Sequence, residues 1–355
     1  MVEVPKVNIV TARPPTVSWR IFELECLEKY FGQSEEGSPQ DISGMSMYRC
    51  GAKYVYWKLH TESTDRLLWE KCCRVSKELT EGLGIKHIND PLGWLACHTK
   101  EEAFGIWKEE GIPCPDWFEF TNFGSFTKNC TFNYPMILRL NNSTSGWFSY
   151  LCNNEADVKT AIPKLLGNMH YQHDKIPNEG VNRKFIAVKF IPTTRPENLN
   201  MSFRIIVAGN KVVTGYARLA PASDWIAITN RFTKDMEVPF VKYQKVCQKF
   251  CEENEALIVK SVKCLGLNLQ GVDVILDRED KPWFIEVQPG FSVGYPHRSS
   301  WKPPFYNPSK PDELRNFLLK NLDRLKEEIP MYANFWLDKY AMFNKAFGAL
   351  KEDLG

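Results

Sequence analysis

Apolar residues along this chain switch repeatedly between a spacing of two and a spacing of three or four, which divides it into alternating strands and helices. Val7–Thr11 reads as a first strand and Trp19–Phe31 as a helix. Lys53–Leu59 is a second strand, and Asp65–Gly82 is an amphipathic helix stopped by Gly82–Gly84. A short strand, Ile85–Ile88, runs into a turn at Asn89–Asp90–Pro91. These segments predict a small α/β lobe with a polar, flexible loop around Gln33–Gly44 at its edge.

Helical spacing returns over Trp94–Gly111, and the IPCP that follows is extended because proline disfavours helix in the residue before it. Met136–Leu140 and Trp147–Cys152 read as strands bracketing a small polar loop, NNSTSG. A helix over Glu155–Leu166, a polar linker over Gly167–Arg183 and a β-prone run over Lys184–Ile191 come next. Phe203–Ala208 and Lys211–Arg218 form a hairpin closed by Gly209–Asn210, and Tyr243–Leu265 is helical. A second hairpin pairs VDVIL with WFIEV across an acidic turn at Asp277–Lys281. Beyond a proline-rich connector, Ser299–Pro311, the chain is helical from Asp312 to about Leu350 and broken at Pro330. Trp336, Tyr340, Phe343 and Phe347 make an apolar stripe expected to dock on the core.

Composition narrows the class. The 355 residues are 43% apolar and 25% charged, with a net charge of +2, as expected of a soluble protein of two or three lobes. Near-neutral charge without a basic stripe argues against nucleic acid as a partner. No apolar run is long enough to span a bilayer, and MVEVPKVNIVTARPP lacks the apolar core of a secretion signal, so no membrane association is expected. Eleven cysteines without a CxxC pair read as free thiols of a reducing cytoplasm, which makes the sequons at Asn129, Asn141, Asn142 and Asn200 incidental. His170 and His173 lack a third ligand nearby and read as solvated rather than metal-bound.

Chemistry concentrates in the second hairpin. Glu286 and Gln288 are two residues apart on one strand and share a face, and the hairpin brings Asp273 beside them. Three hard oxygen donors suit Mg²⁺, which could hold nucleotide phosphates. On this stretch alone, a surface hairpin with solvated acids is equally compatible. Lys100 and Arg139 supply cations, and the small residues after Arg139 offer backbone N–H groups to phosphate, with a plain hairpin turn as the alternative.

The order of these parts resembles the ATP-grasp superfamily, most closely its RimK-like carboxylate–amine ligase branch. The matching pieces are the INDP turn at Ile88–Pro91, Lys100, the GIPCP at Gly111–Pro115, Arg139 and the loop Ser143–Gly146. They continue with the strand Ala187–Ile191, the hairpin SFRIIVAGNKVVTGYAR with Arg204 and Arg218, then Asn230, Asp273 and Glu286–Val287–Gln288. The resemblance runs over roughly residues 85–292 in consistent order. It implies an α/β (α+β) ATP-grasp fold divided as a 1–96 α/β lobe, a 97–195 central lobe with the phosphate loop, a 196–300 lobe with the metal site, and a 301–355 connector and helical extension. It also implies two lobes clasping ATP.

The resemblance implies roles as well. Lys100 and Arg139 neutralise the α- and β-phosphates, Ser143, Thr144, Ser145 and Gly146 close over the β- and γ-phosphates, and Lys189, Phe190, Ile191 and Asn230 complete the nucleotide site. Asp273, Glu286 and Gln288 ligate one or two Mg²⁺, for which Mn²⁺ can substitute. Arg204 and Arg218 are the catalytic pair that stabilises the phosphoryl group and an acyl phosphate, although a structural salt bridge is the rival reading for each. The activity implied is a cytoplasmic ligase that activates a small-molecule or peptide carboxylate with ATP and joins it to an amine, as a monomer or homodimer.

Four positions depart from the family pattern. Gln288 replaces Asn, Arg139 replaces Lys, Val188–Lys189 replaces a polar–acidic pair, and Ser202 stands where an acid often precedes the first arginine. A small-molecule kinase on the same scaffold, or an ATP-binding module with weakened catalysis, are the alternatives these departures keep open. His297 and Arg298, in the segment after the metal strand, are candidates to meet an acidic substrate group.

Overall fold

Three four-stranded sheets carry the fold among the described residues. The computed structural model describes the chain except residues 1–6, 12–18, 39–40, 44–50, 60–65, 98, 142–147, 176–184, 226–233, 289–316, 319 and 333–338.

The first sheet is all parallel, in the order β2-β1-β3-β4, from β1 (Val7–Thr11), β2 (Ser34–Gly37), β3 (Tyr54–Lys58) and β4 (Lys86–Ile88). Helices α1 (Trp19–Phe31) and α2 (Arg66–Leu83) supply its crossovers. A parallel sheet covered on both faces takes a continuous apolar strand, and β3 is buried from Tyr54 through Trp57. Strand β2 corrects the sequence reading, which placed a flexible loop there. Its SEEG residues carry no apolar signal, yet their backbone pairs with β1 from Val7↔Ser34 to Val10↔Gly37. Charged side chains suit an edge strand.

A second correction falls between the first two sheets. The helix expected over Trp94–Gly111 is two helices, α3 (Pro91–Ala96) and α4 (Lys100–Glu109). Thr99 sits in extended conformation and its side chain accepts the Glu102 N–H, restarting the helix at Lys100.

The second sheet is antiparallel, in the order β5-β8-β6-β7, from β5 (Trp117–Phe120), β6 (Met136–Leu140), β7 (Ser149–Cys152) and β8 (Phe185–Lys189). Strand β5 and the short α5 (Phe123–Asn129), closed by an Asn122–Ser125 capping box, went unread in the sequence. Helix α6 (Glu155–Lys175) also runs nine residues past the expected end at Leu166, into what read as a polar linker.

The third sheet has the order β10-β9-β11-β12, all antiparallel, from β9 (Leu199–Ala208), β10 (Lys211–Pro221), β11 (Leu269–Leu276) and β12 (Pro282–Gln288). Both expected hairpins are present, with the Gly209–Asn210 and Asp277–Lys281 turns where the sequence placed them. Behind the sheet, the expected single helix is α7 (Glu237–Glu253) and α8 (Glu255–Lys263), parted at Asn254. Gly215 of β10 lets α7 approach closely, since a Cβ there would lie 2.9 Å from the Cys251 sulfur.

After α9 (Leu322–Glu328), which ends just before Pro330, the chain returns as α10 (Lys339–Leu354) along α1 and the β9–β10 hairpin. The buried face of α10 is Met342, Phe343, Ala346, Phe347 and Leu350. This replaces part of the expected stripe: Tyr340 is 42% exposed, and Trp336 lies outside the described residues.

One apolar cluster joins the first and third sheets through α4 and α10, while a separate one fills the second sheet against α5 and α6. One face of the second sheet therefore has a core of its own, while Ile186 and Val188 of β8 belong to the shared cluster. The ten described cysteines are free thiols, and no described helix is long and apolar enough to cross a membrane.

Candidate nucleotide and metal site

Strand pairing assembles the site. Asp273 of β11 lies directly opposite Glu286 of β12 on one side and Arg204 of β9 on the other. Gln288 stands opposite Gly271, two residues along the same face as Glu286. Across the next pair, Arg218 of β10 stands opposite Ser202 of β9. Four neighbouring strands thus point Ser202, Arg204, Arg218, Asp273, Glu286 and Gln288 to one side of the sheet. The sequence could fix the alternation within each strand, but the register across the sheet comes from the fold.

Those side chains are bonded to each other. Arg204 donates from Nε to Asp273 Oδ1, and from Nη2 to Oδ2 at 2.8 Å. Its Nη1 donates to Gln288 Oε1 at 2.9 Å. Arg218 adds a second cation, Nη2 to Asp273 Oδ2 at 3.0 Å, and is anchored by Nε to Ser202 Oγ at 3.1 Å. Asp273 is 4% exposed, Arg218 8% and Arg204 9%. Burial pushes the Asp273 carboxyl up, but the two guanidinium groups overcome it and hold the carboxyl below its usual range. Burial disfavours the Arg204 charge as well, and Asp273 more than compensates, raising its pKa.

A second ion pair ties α4 to the third sheet. Lys100, the first residue of α4, reaches Glu286 Oε1 at 3.2 Å. Burial, and next the charge of Arg139, pull the lysine down to about 8 against the opposing pull of Glu286. Arg139 of β6 is itself lowered by burial, with Glu286 opposing. Lys100 and Glu286 share a small cleft with Cys97, Phe104, Trp107 and Val287.

One residue that sequence reasoning missed fixes this arrangement. Asn141 follows β6 directly, at the base of the expected phosphate loop, and is fully buried. Its carbonyl accepts the Lys100 N–H at 3.2 Å, its Oδ1 accepts the Glu101 N–H at 3.2 Å, and its Nδ2 donates to Glu101 at 2.8 Å. Asparagine in a polar run looked like an incidental sequon. Only the fold reveals it as a cap on the helix that carries Lys100.

The strand expected to meet the nucleotide is β8 and its continuation. The Lys189 N–H donates to Asp116 O and the Phe190 N–H to Pro135 O, while the Lys189 ammonium lies 3.7 Å from Asp116. Ile191 is buried. Ser143, Thr144, Ser145, Gly146, Asn230, His297 and Arg298 lie outside the described residues.

Asp273, Glu286 and the Gln288 amide are all hard oxygen donors on adjacent strands, the chemistry that Mg²⁺ takes. They fit such an ion. No cluster of three or more His, Cys, Asp or Glu side chains forms among the described residues, so the glutamine would have to complete the set.

The comparisons agree with this geometry. Residues 120–295 match the family described as the RimK-like ATP-grasp domain, a span holding β6–β8 of the second sheet, the whole third sheet and every candidate except Lys100, His297 and Arg298. No curated protein matches the chain. Among solved structures, a RimK domain ATP-grasp protein from Sphaerobacter thermophilus is similar at 14% identity and a TM-score of 0.50, covering 94% of this chain and 99% of that one. The ATP-grasp ligase PsnB, complexed with a precursor peptide and AMPPNP, is similar at 12% identity and a TM-score of 0.51, covering 82% and 91%. At such identities the likeness is one of fold. Residues 120–295 therefore carry a RimK-like ATP-grasp domain, and the fold is that of ATP-grasp proteins.

Proposed function

We propose that this protein is an ATP-dependent carboxylate–amine ligase. In this reading a substrate carboxylate attacks the γ-phosphorus of ATP, giving an acyl phosphate and ADP. An amine then attacks the acyl carbon, and inorganic phosphate leaves as the new C–N bond forms. The observation that supports it best is the convergence of Asp273, Glu286 and Gln288 with Lys100, Arg204 and Arg218 on one side of the third sheet.

Each group has a place in that chemistry. Asp273, Glu286 and Gln288 would hold Mg²⁺, or Mn²⁺ in its stead, which offsets phosphate charge when bound. Lys100 and Arg139 would neutralise the α- and β-phosphates, and Ser143–Gly146 would cover the β- and γ-phosphates. The Lys189 carbonyl and the Ile191 N–H would read the adenine, because the Lys189 and Phe190 N–H groups are already used within the protein. Arg204 and Arg218 would stabilise the transferring phosphoryl group and the acyl phosphate, acting by position and charge rather than by covalent chemistry. PsnB supports a peptide as one possible class of carboxylate substrate.

A screen for phosphate release over pairs of carboxylates and amines tests this directly, on wild type and Glu286→Gln. Release that requires both partners and falls by at least about a hundredfold in the variant is expected. Nucleotide binding with no turnover anywhere in the screen would instead make the protein a binding module, and transfer to a hydroxyl would make it a kinase.

A further inference from the structure

The ion pairs of the site cross the two jobs assigned to it. Each group expected to hold metal is bonded to a cation expected to hold phosphate: Glu286 to Lys100, Asp273 to Arg204 and Arg218, and the Gln288 oxygen to Arg204. We propose that metal and nucleotide enter this site only together, by an exchange of partners in which phosphate takes the cations and the metal takes the oxygens they release. This rests on the nucleotide and metal reading above and adds the order of binding to it.

The physical reason is the balance of charge in a buried place. Lys100, Arg204, Arg218 and Arg139 face two carboxylates, and the first three are less than a tenth exposed. Among the described residues around it, cations therefore outnumber carboxylates. A divalent ion arriving alone must take the Asp273 oxygens from the bidentate Arg204 fork. It would then rest beside the Arg204 and Arg218 guanidinium groups that it has parted from Asp273, where water screens little. A polyphosphate arriving alone meets Asp273 and Glu286 in the middle of its own binding surface. Arriving together, each satisfies what the other displaces. Arg204 is the pivot, because its three donors reach both Asp273 and Gln288.

Coupling of this kind is reciprocal: whatever factor the nucleotide adds to metal affinity, the metal adds to nucleotide affinity. The test is retention of manganese by the protein in ultrafiltration, with and without AMPPNP, with retained nucleotide measured in the same samples. Expected is manganese retention at least about tenfold tighter with AMPPNP than without, the size of relieving one close like charge even in a high dielectric. AMPPNP retention should gain the same factor from manganese. Without nucleotide, Arg204→Met should retain manganese more tightly than wild type, as should Lys100→Met, which spares the Arg204–Asp273 pair if the first variant fails to fold. Equal manganese retention with and without AMPPNP would overturn the exchange while leaving the site assignment standing. Retention of neither under any condition would remove the site assignment, and the exchange with it.

Discussion

Arg204 of β9 and Asp273 of β11 are register partners, and their side chains form a two-pronged ion pair on a buried face of the third sheet. Removing one partner from such a pair leaves an uncompensated buried charge. Asp273→Asn should therefore cost about 3–5 kcal/mol, read from the shift in urea midpoint. Adding Arg204→Met to it should recover part of that loss, because the double variant leaves fewer charges stranded. A loss under about 1 kcal/mol for Asp273→Asn would mean that the guanidinium groups find other anions.

The contact between α3 and the turn before β11 is so close that it admits no side chain. A Cβ on Gly93 would lie 2.6 Å from the Gly266 carbonyl oxygen and 2.7 Å from that of Leu265, both backbone atoms that cannot rotate away. Gly93→Ala should lower stability by about 1–3 kcal/mol. Gly105→Ala, in α4 with nothing within 4 Å of its Cβ, should raise it by about 1 kcal/mol through helix propensity. Thermal unfolding of the two variants side by side checks the contrast; equal effects would contradict the close approach.

Helix α10 fastens the first sheet to the third. Phe347 is fully buried, with its ring 6.3 Å from that of Phe31 and 6.1 Å from that of Tyr56. Lys263 pairs with Asp353 at 2.6 Å and Lys345 donates to the Val213 carbonyl at 2.9 Å, so the helix is tied to both sides. Truncation in Phe347→Ala should cost about 3–5 kcal/mol in chemical denaturation, as for other buried aromatics. A cost below about 1 kcal/mol would show that α10 contributes little to the core.

Glu197 gives the protein an acid-sensitive tie. Its hydrogen bonds with Lys242 and then with the Tyr243 hydroxyl lower its pKa from 4.5 to about 2. A carboxylate depressed in the folded state stabilises fully above its unfolded pKa and loses that contribution as pH falls toward the folded value. Wild type should therefore have a higher Tm than Glu197→Gln at neutral pH. The difference should shrink below about pH 4.5 and vanish near 2. A difference that stays constant with pH would locate the contribution elsewhere.

Much of the site was legible because strand alternation is local. Glu286 and Gln288 share a face whatever surrounds them, and the acidic turn at Asp277–Lys281 folds Asp273 back toward them. The order of Lys100, Arg139, the arginine hairpin and the acidic hairpin was equally visible, which is why the resemblance to ATP-grasp proteins came from the sequence. Elements whose burial is set elsewhere were not legible. Strand β2 is charged and joins the sheet through its backbone pairing with β1, and α6 continues through residues with no apolar period.

What the sequence determined by itself was therefore the inventory: which strands and helices carry the cations and the oxygen donors, and in what order. The tertiary structure decided their partners. Register across β10, β9, β11 and β12 set Arg204 and Arg218 on Asp273, and the packing of α4 through Asn141 set Lys100 on Glu286. Those contacts join residues far apart in the chain, and no local pattern of polar and apolar positions encodes them. They arise only when separate sheets bury their apolar faces and leave the remaining charges to neutralise one another.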